Sequence, residues 1–200
     1  MRSQASINKK FSSWRVLAVE DGGFKSEEFK RKGKAFLVGT LVEGFRIKEV
    51  LLSRIVVDGL DATDCLLEVV EEKKEMLDII MLASISYAGF NLIDPVEVHN
   101  RLNIPVLIVN PKKPSYLAVE SALKRHFSDW EKRLNIIRKA GKPYSLRMDL
   151  GNYVYFFPFG ISVEESKKLM KSLTVFGNRP EPLRIARLIA HGLGLVVKKT

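Results

Sequence analysis

This chain has little of what marks several protein classes. One cysteine, Cys65, stands among 200 residues, which excludes an internal disulfide framework and a cysteine-rich zinc site. Three histidines, His99, His126 and His191, lie far apart with no zinc-ligand spacing. No serine sits in a nucleophile elbow. The longest stretch without a formal charge, residues 79–93, is 15 residues, short of the ~18–20 a membrane helix needs. The opening MRSQASINKKFSSW is basic but has no apolar core, so it does not read as a secretory signal. The expectation is a cytoplasmic chain with no membrane partner. Acidic residues are scarce in one half only. Residues 1–100 carry a net charge of −2, and residues 101–200 carry +12. That asymmetry points to a polyanion partner, nucleic acid of either kind; a solubilising surface is the plainer alternative.

What is present is ordinary for a globular protein: 46% hydrophobic and 28% charged residues. The run RVLAVE (15–20) reads as a buried strand, broken by a turn at Glu20-Asp21-Gly22-Gly23. Residues 34–43 and 45–57 read as a hairpin about Gly44, with imperfect alternation that allows a bulge. A helix is expected over 62–76, with Asp61 as N-cap and Asp64 in its first turn. DIIMLA (78–83) and PVLIV (105–109) have the continuous apolar character of strands covered on both faces. A small-residue loop (84–91) and a helix opened by Asp94-Pro95 lie between them. Helices over 116–126 and 129–140, a hairpin over 150–152, a capping-box helix from Ser162 and a last helix from about 180 to 191 complete the order. This describes a single α/β domain over 1–200, with a mixed central sheet, helices on both faces, and loose termini at 1–14 and 196–200.

In such sheets ligands gather beyond the carboxyl ends of strands. The acids there are Glu20 and Asp21, and Asp58 and Asp61. Converging carboxylates suit Mg²⁺ or Mn²⁺, which activates water and neutralises a phosphodiester's developing charge. Turn acids and helix caps are the plainer reading, especially for Asp61. Glu20 is harder to dismiss, because a Glu closing a buried strand must meet solvent, a cation or a partner. Arg179, Arg184 and Arg187 form a cationic stripe suited to phosphate. Lys112 and Lys113, at another strand end, extend that footprint. Lys124, Arg125, Lys167, Lys168 and Lys171 read as solvated faces, and Cys65 as a small buried hydrophobe.

The segments VLAVEDGGF (16–24), VDGLDAT (57–63), IIMLASISYAGFNLID (79–94), VNPKKP (109–114) and GNRPEPLRIARLIA (177–190) resemble an uncharacterised archaeal family. It is called endonuclease dU and is related to endonuclease V. YFFPFGISVEESKKLM (155–170) is similar to the C-terminal part of endonuclease V. The resemblance implies a ribonuclease H-like fold and Mg²⁺-dependent cleavage of nucleic acid beside a deaminated base, uracil or hypoxanthine. It would make Glu20 and Asp21 metal ligands, with Asp58 and Asp61 as further catalytic acids. The pattern is broken in three places. Glu20 stands where a first-strand Asp is expected. Ala83 and Ser84 replace Asp-Gly after IML. Arg187 falls where relatives carry His or Asp.

Three readings follow. The first is an endonuclease V-like repair nuclease with an altered carboxylate set and weakened activity. The second is a catalytically degenerate nucleic-acid-binding protein of the same fold. The third is an enzyme acting on a small phosphorylated ligand, which would fail to bind oligonucleotides.

Overall fold

The computed structural model describes residues 13–22, 33–148 and 151–197. Its centre is one seven-stranded mixed sheet. The strands are β1 (Arg15–Gly22), β2 (Lys34–Glu43), β3 (Arg46–Val56), β4 (Ile79–Leu82), β7 (Val106–Asn110), β8 (Tyr144–Arg147) and β9 (Tyr153–Phe159). Two short strands, β5 (Ser86–Tyr87) and β6 (Asn91–Leu92), form a separate ribbon. Spatial order is β3-β2-β1-β4-β7-β9-β8. β1, β4 and β7 run parallel, and the pairs on either side of them are antiparallel.

The parallel centre follows from composition. Val16 to Val19, Ile79 to Leu82 and Val106 to Val109 are all buried, as expected for strands covered on two faces. Helices α1 (Ala62–Glu71) and α2 (Pro95–Leu102) cover one face. Their core includes Leu17, Val19, Leu66, Ile80, Leu82, Val98 and Ile108. Helices α5 (Val163–Leu173) and α6 (Glu181–Val197) cover the other, over Val16, Ala18, Met81, Phe156, Leu169 and Leu183. Helices α3 (Tyr116–His126) and α4 (Trp130–Lys139) pack on the β5–β6 ribbon through Leu92, Leu123, Leu134 and Ile137.

Several local expectations hold. α5 carries a full capping box, with Ser162 Oγ accepting from Glu165 N at 3.2 Å and Ser162 N donating to the Glu165 carboxylate at 3.2 Å. Asp94 caps α2, accepting from Val96 N and Glu97 N. The hairpin bulge falls between Leu41 and Val42.

Others are corrected. The turn expected at Glu20-Asp21-Gly22 is strand: β1 stays paired with β2 as far as Gly22, opposite Phe36, while Gly23 lies outside the described residues. The helix expected over 62–76 ends at Glu71, and Lys74–Met76 is a separate 3-10 turn. Asp61 takes the N-cap position without a side-chain cap, because its carboxylate is turned back to Val56 N. The last helix runs on to Val197, since GLGLVV continues it; the remainder of the loose tail expected over 196–200, residues 198–200, lies outside the described residues. Residues 1–12 likewise lie outside them, whereas Trp14 is fixed, its carbonyl accepting from Gly44 N at 3.3 Å. Leu150, in the expected turn before β9, is also outside. Among the described residues no helix is long and apolar enough to cross a membrane.

Candidate nucleic-acid interface

The carboxyl ends of β1, β4 and β7 share one edge of the sheet, and β9, running the other way, begins there. Side chains alternate along a strand. Glu20 therefore shares a face with Val16 and Ala18, under α5 and α6, while Asp21 shares one with Leu17 and Val19. Two adjacent acids expected at one metal are thus directed to opposite sides of the sheet.

Asp21 meets the β5–β6 turn. Its carboxylate accepts from the Ala88 backbone N–H. Burial, with a smaller push from the Glu20 charge, raises its pKa to about 6 despite the opposing Ala88 bond. Tyr87 is fully enclosed beside it, its hydroxyl donating to Val19 O at 3.4 Å. Burial first, and then the Glu20 charge, pushes that phenol well above its usual range.

Glu20 meets a cation. Arg179 Nη1 donates to Glu20 Oε2 at 2.9 Å, and the two side chains are only 18% and 14% exposed. Beside them, one step beyond the Val19–Leu82 pair, stands Ala83. It is bonded through its N–H to Val19 O at 3.2 Å and belongs to the core on the same face as Glu20. An acid at 83 would be the direct cross-strand neighbour of Glu20. An alanine offers no oxygen.

Asp58 and Asp61 lie apart, on the Asp21 face, in a knot between β3 and the ribbon. Asp58 Oδ1 accepts from Phe90 N at 2.8 Å, with its own backbone at φ 56°, a left-handed conformation Asp tolerates. Asp61 accepts from Val56 N at 3.2 Å and from Asn91 Nδ2 at 2.5 Å. Arg133, buried on α4, closes the knot. Nη1 donates to Gly59 O and Phe90 O, Nη2 to Asp58 O, and Nε to Asp129 at 2.9 Å. Both acids are thereby committed to backbone donors. Sequence reasoning passed over Arg133; the signal was its place on the apolar face of α4 with Trp130, Leu134 and Ile137.

The cations are distributed around the same edge. Lys112 and Lys113 are exposed just after β7. Arg184 is held by Glu181 at 2.7 Å and lies 5.8 Å over the Phe176 ring. Arg187 is exposed on α6, one turn before Ala190. The Ala190 carbonyl lies where a Cβ on Gly22 would fall, at 2.3 Å, so only glycine lets α6 pass this close to β1. Cys65 is half-buried and its thiol is pushed up by burial, so it is not an activated nucleophile. His99 Nδ1 lies 2.8 Å from Ile104 O. An apolar cleft of about 70 Å³ opens beside the edge, walled by Phe90, Ile108, Tyr116 and Phe157.

A divalent-ion site of the two-ion kind needs converging carboxylates. Among the described residues no three His, Cys, Asp or Glu side chains converge to hold an ion. Glu20 is paired with Arg179, Asp21 turns away, and position 83 has no ligand atom. The donor set does not fit such a centre.

The fold defines a class: a mixed α/β sheet of the endonuclease V type, here with an acid–arginine pair, Glu20 and Arg179, at its strand ends. The sheet superposes on an endonuclease V of Ciona intestinalis, determined with DNA containing an inosine followed by a ribo-adenosine. The TM-score is 0.58 and the identity 13%, with 100% of this chain and 92% of that one covered. A protein of unknown function from Archaeoglobus fulgidus matches with a TM-score of 0.77 and 34% identity over 88% of this chain and 96% of that one. A UPF0215 protein of Thermococcus gammatolerans is 37% identical over 181 residues, 90% of this chain and 91% of its own. The chain belongs to the endonuclease dU family, whose model matches residues 12–194.

Proposed function

We propose that this protein binds nucleic acid at the β1–β4–β7 edge, as a member of the endonuclease V fold in which metal-dependent cleavage is weak or lost. One observation carries this reading: Ala83 stands beside Glu20 on the same face, and Glu20 is paired with Arg179 rather than with a second acid. The cations around that edge suit a polyanion. Family membership and the inosine-containing DNA of the Ciona neighbour support a strand with a deaminated base as the substrate type. The aromatic-walled cleft beside the edge offers an apolar seat for an unstacked base. The test uses labelled oligonucleotides carrying one uracil or hypoxanthine, with Mg²⁺ and with Mn²⁺. The expected result is binding with slow or absent cleavage.

A second reading, an active nuclease with an altered acid set, is favoured by Asp21. A carboxyl titrating near 6 is suited to general acid–base work. Robust turnover by the unmodified protein, abolished by Glu20→Gln, would establish that reading and overturn the first.

A further inference from the structure

We infer that Arg179 is a phosphate-binding residue and that Glu20 holds its guanidinium in reserve, so that a backbone phosphate binds by replacing the Glu20 carboxylate. The inference rests on the nucleic-acid reading and says how that site is occupied before and after binding.

The segment just ahead of α6 crosses the sheet edge. At one end Asn178 Nδ2 donates to Tyr153 O at 3.4 Å, at the start of β9. At the other, Arg179 reaches Glu20 at the end of β1. Since β4 and β7 lie between β9 and β1 in the sheet, these two adjacent side chains reach to either side of the β4 and β7 ends. Arg179 is thus placed at the pole where a phosphodiester would approach Glu20 and Ala83.

The chemistry of exchange is like for like. A guanidinium presents five N–H donors in a planar fork that fits a carboxylate or a phosphate equally well. Each side chain keeps a small exposed fraction, 18% for Arg179 and 14% for Glu20, so exchange requires the Glu20 carboxylate to turn away as the phosphate enters. Position 83 supplies no carboxylate through which a cation could bridge Glu20 to that phosphate. Arg187, Lys112 and Lys113 are exposed around the same edge. They attract the strand, while the Glu20 carboxylate competes with it for Arg179.

The inference reverses the sign expected of a metal-ligand acid. Loss of a metal-binding carboxylate weakens binding; loss of a competitor tightens it. Fluorescence anisotropy with a labelled single-stranded oligonucleotide in EDTA removes any metal contribution and reads the competitor role alone. Glu20→Gln is expected to bind roughly three- to tenfold tighter than the unmodified protein, and Arg179→Ala roughly tenfold weaker. The gain must vanish in the double variant, which isolates the pair from the general benefit of removing one negative charge. A gain that persists without Arg179, or a Glu20→Gln protein that binds no tighter, overturns the inference. Thermal melting of each variant checks that it is folded. If no oligonucleotide binds at low salt, the nucleic-acid reading fails. The Arg179 site is then scored by pyrophosphate, which should raise the melting temperature of Glu20→Gln and not that of Arg179→Ala. Equal shifts in both would overturn the site itself.

Discussion

Two groups of acids occupy comparable positions, at the ends of strands, and differ in what holds them. Asp58 and Asp61 accept from backbone N–H groups of residues 90 and 56, with Arg133 binding three carbonyls around them. Glu20 is held instead by one long side chain from a residue 159 positions away. A carboxylate committed to backbone donors cannot leave without breaking the fold, so the first group serves structure. A guanidinium held by one carboxylate can exchange it for another anion, which is the binding role we propose for the second. The same residue type at the same kind of place therefore divides by its partner.

That division can be broken or sharpened experimentally. The largest effect is expected at the knot. Arg133→Ala leaves three carbonyls and Asp129 unpaired, and should lower stability by about 3–5 kcal/mol. Chemical denaturation measures that loss, and oligonucleotide affinity of the folded fraction should not change. A stable Arg133→Ala protein with lost binding would reverse the roles assigned to the two regions.

Asp21 comes next. Its folded pKa of about 6 lies above its ordinary value of 3.8. The folded state thus retains a proton that the unfolded chain releases, and stability falls as pH rises from about 4 through 6. The shift of about two units corresponds to about 3 kcal/mol lost by neutral pH. Asp21→Asn removes the ionisation, and Asn can still accept from Ala88 N. Stability at pH 7.5 should rise by roughly 1–3 kcal/mol, and the pH dependence between 4 and 6 should flatten. Denaturation midpoints across that range measure it; an unchanged profile would show that Asp21 is not buried as described.

The cations give a graded effect. Each phosphate contact contributes about 0.7–0.9 to the log–log dependence of affinity on salt. Replacing Lys112, Lys113, Arg179 and Arg184 with Ala should flatten that slope by roughly three to three and a half. An unchanged slope would remove this edge from the interface. The smallest effect is expected from Ala83→Asp. It places a second carboxylate beside Glu20 and should give weak Mn²⁺ binding, read by electron paramagnetic resonance, where the unmodified protein gives less or none.

Much of the frame was legible because its signals are local. The apolar runs of β1, β4 and β7, Gly44 at the hairpin and Ser162 with Glu165 each state an element within a few residues. The β5–β6 ribbon was not legible. Its two-residue strands hold no periodicity, and residues 84–91 read as loop until Asp21 and Asp58 tie Ala88 and Phe90 down. The end of α6 was misjudged because Gly192 and Gly194 look like a stop, yet the helix continues through them. At the site, Glu20 was correctly read as needing a cation, solvent or partner. Glu20 and Asp21 were read into a turn, and alternation sets them to opposite faces only once β1 runs on through Gly22. Nothing in the pattern joined Arg179 to Glu20, since that contact exists only once α6 lies across the sheet. The close passage of Ala190 over Gly22 is what sets it there.

The central claim is that the strand-end edge binds nucleic acid through its own cations, without a divalent ion. Oligonucleotide affinity measured at matched ionic strength, in EDTA and in Mg²⁺, tests it most directly. The account predicts binding in EDTA at least as tight as in Mg²⁺, which competes for the phosphates as a counterion. Binding that appears only with Mg²⁺ and is abolished by EDTA would contradict it.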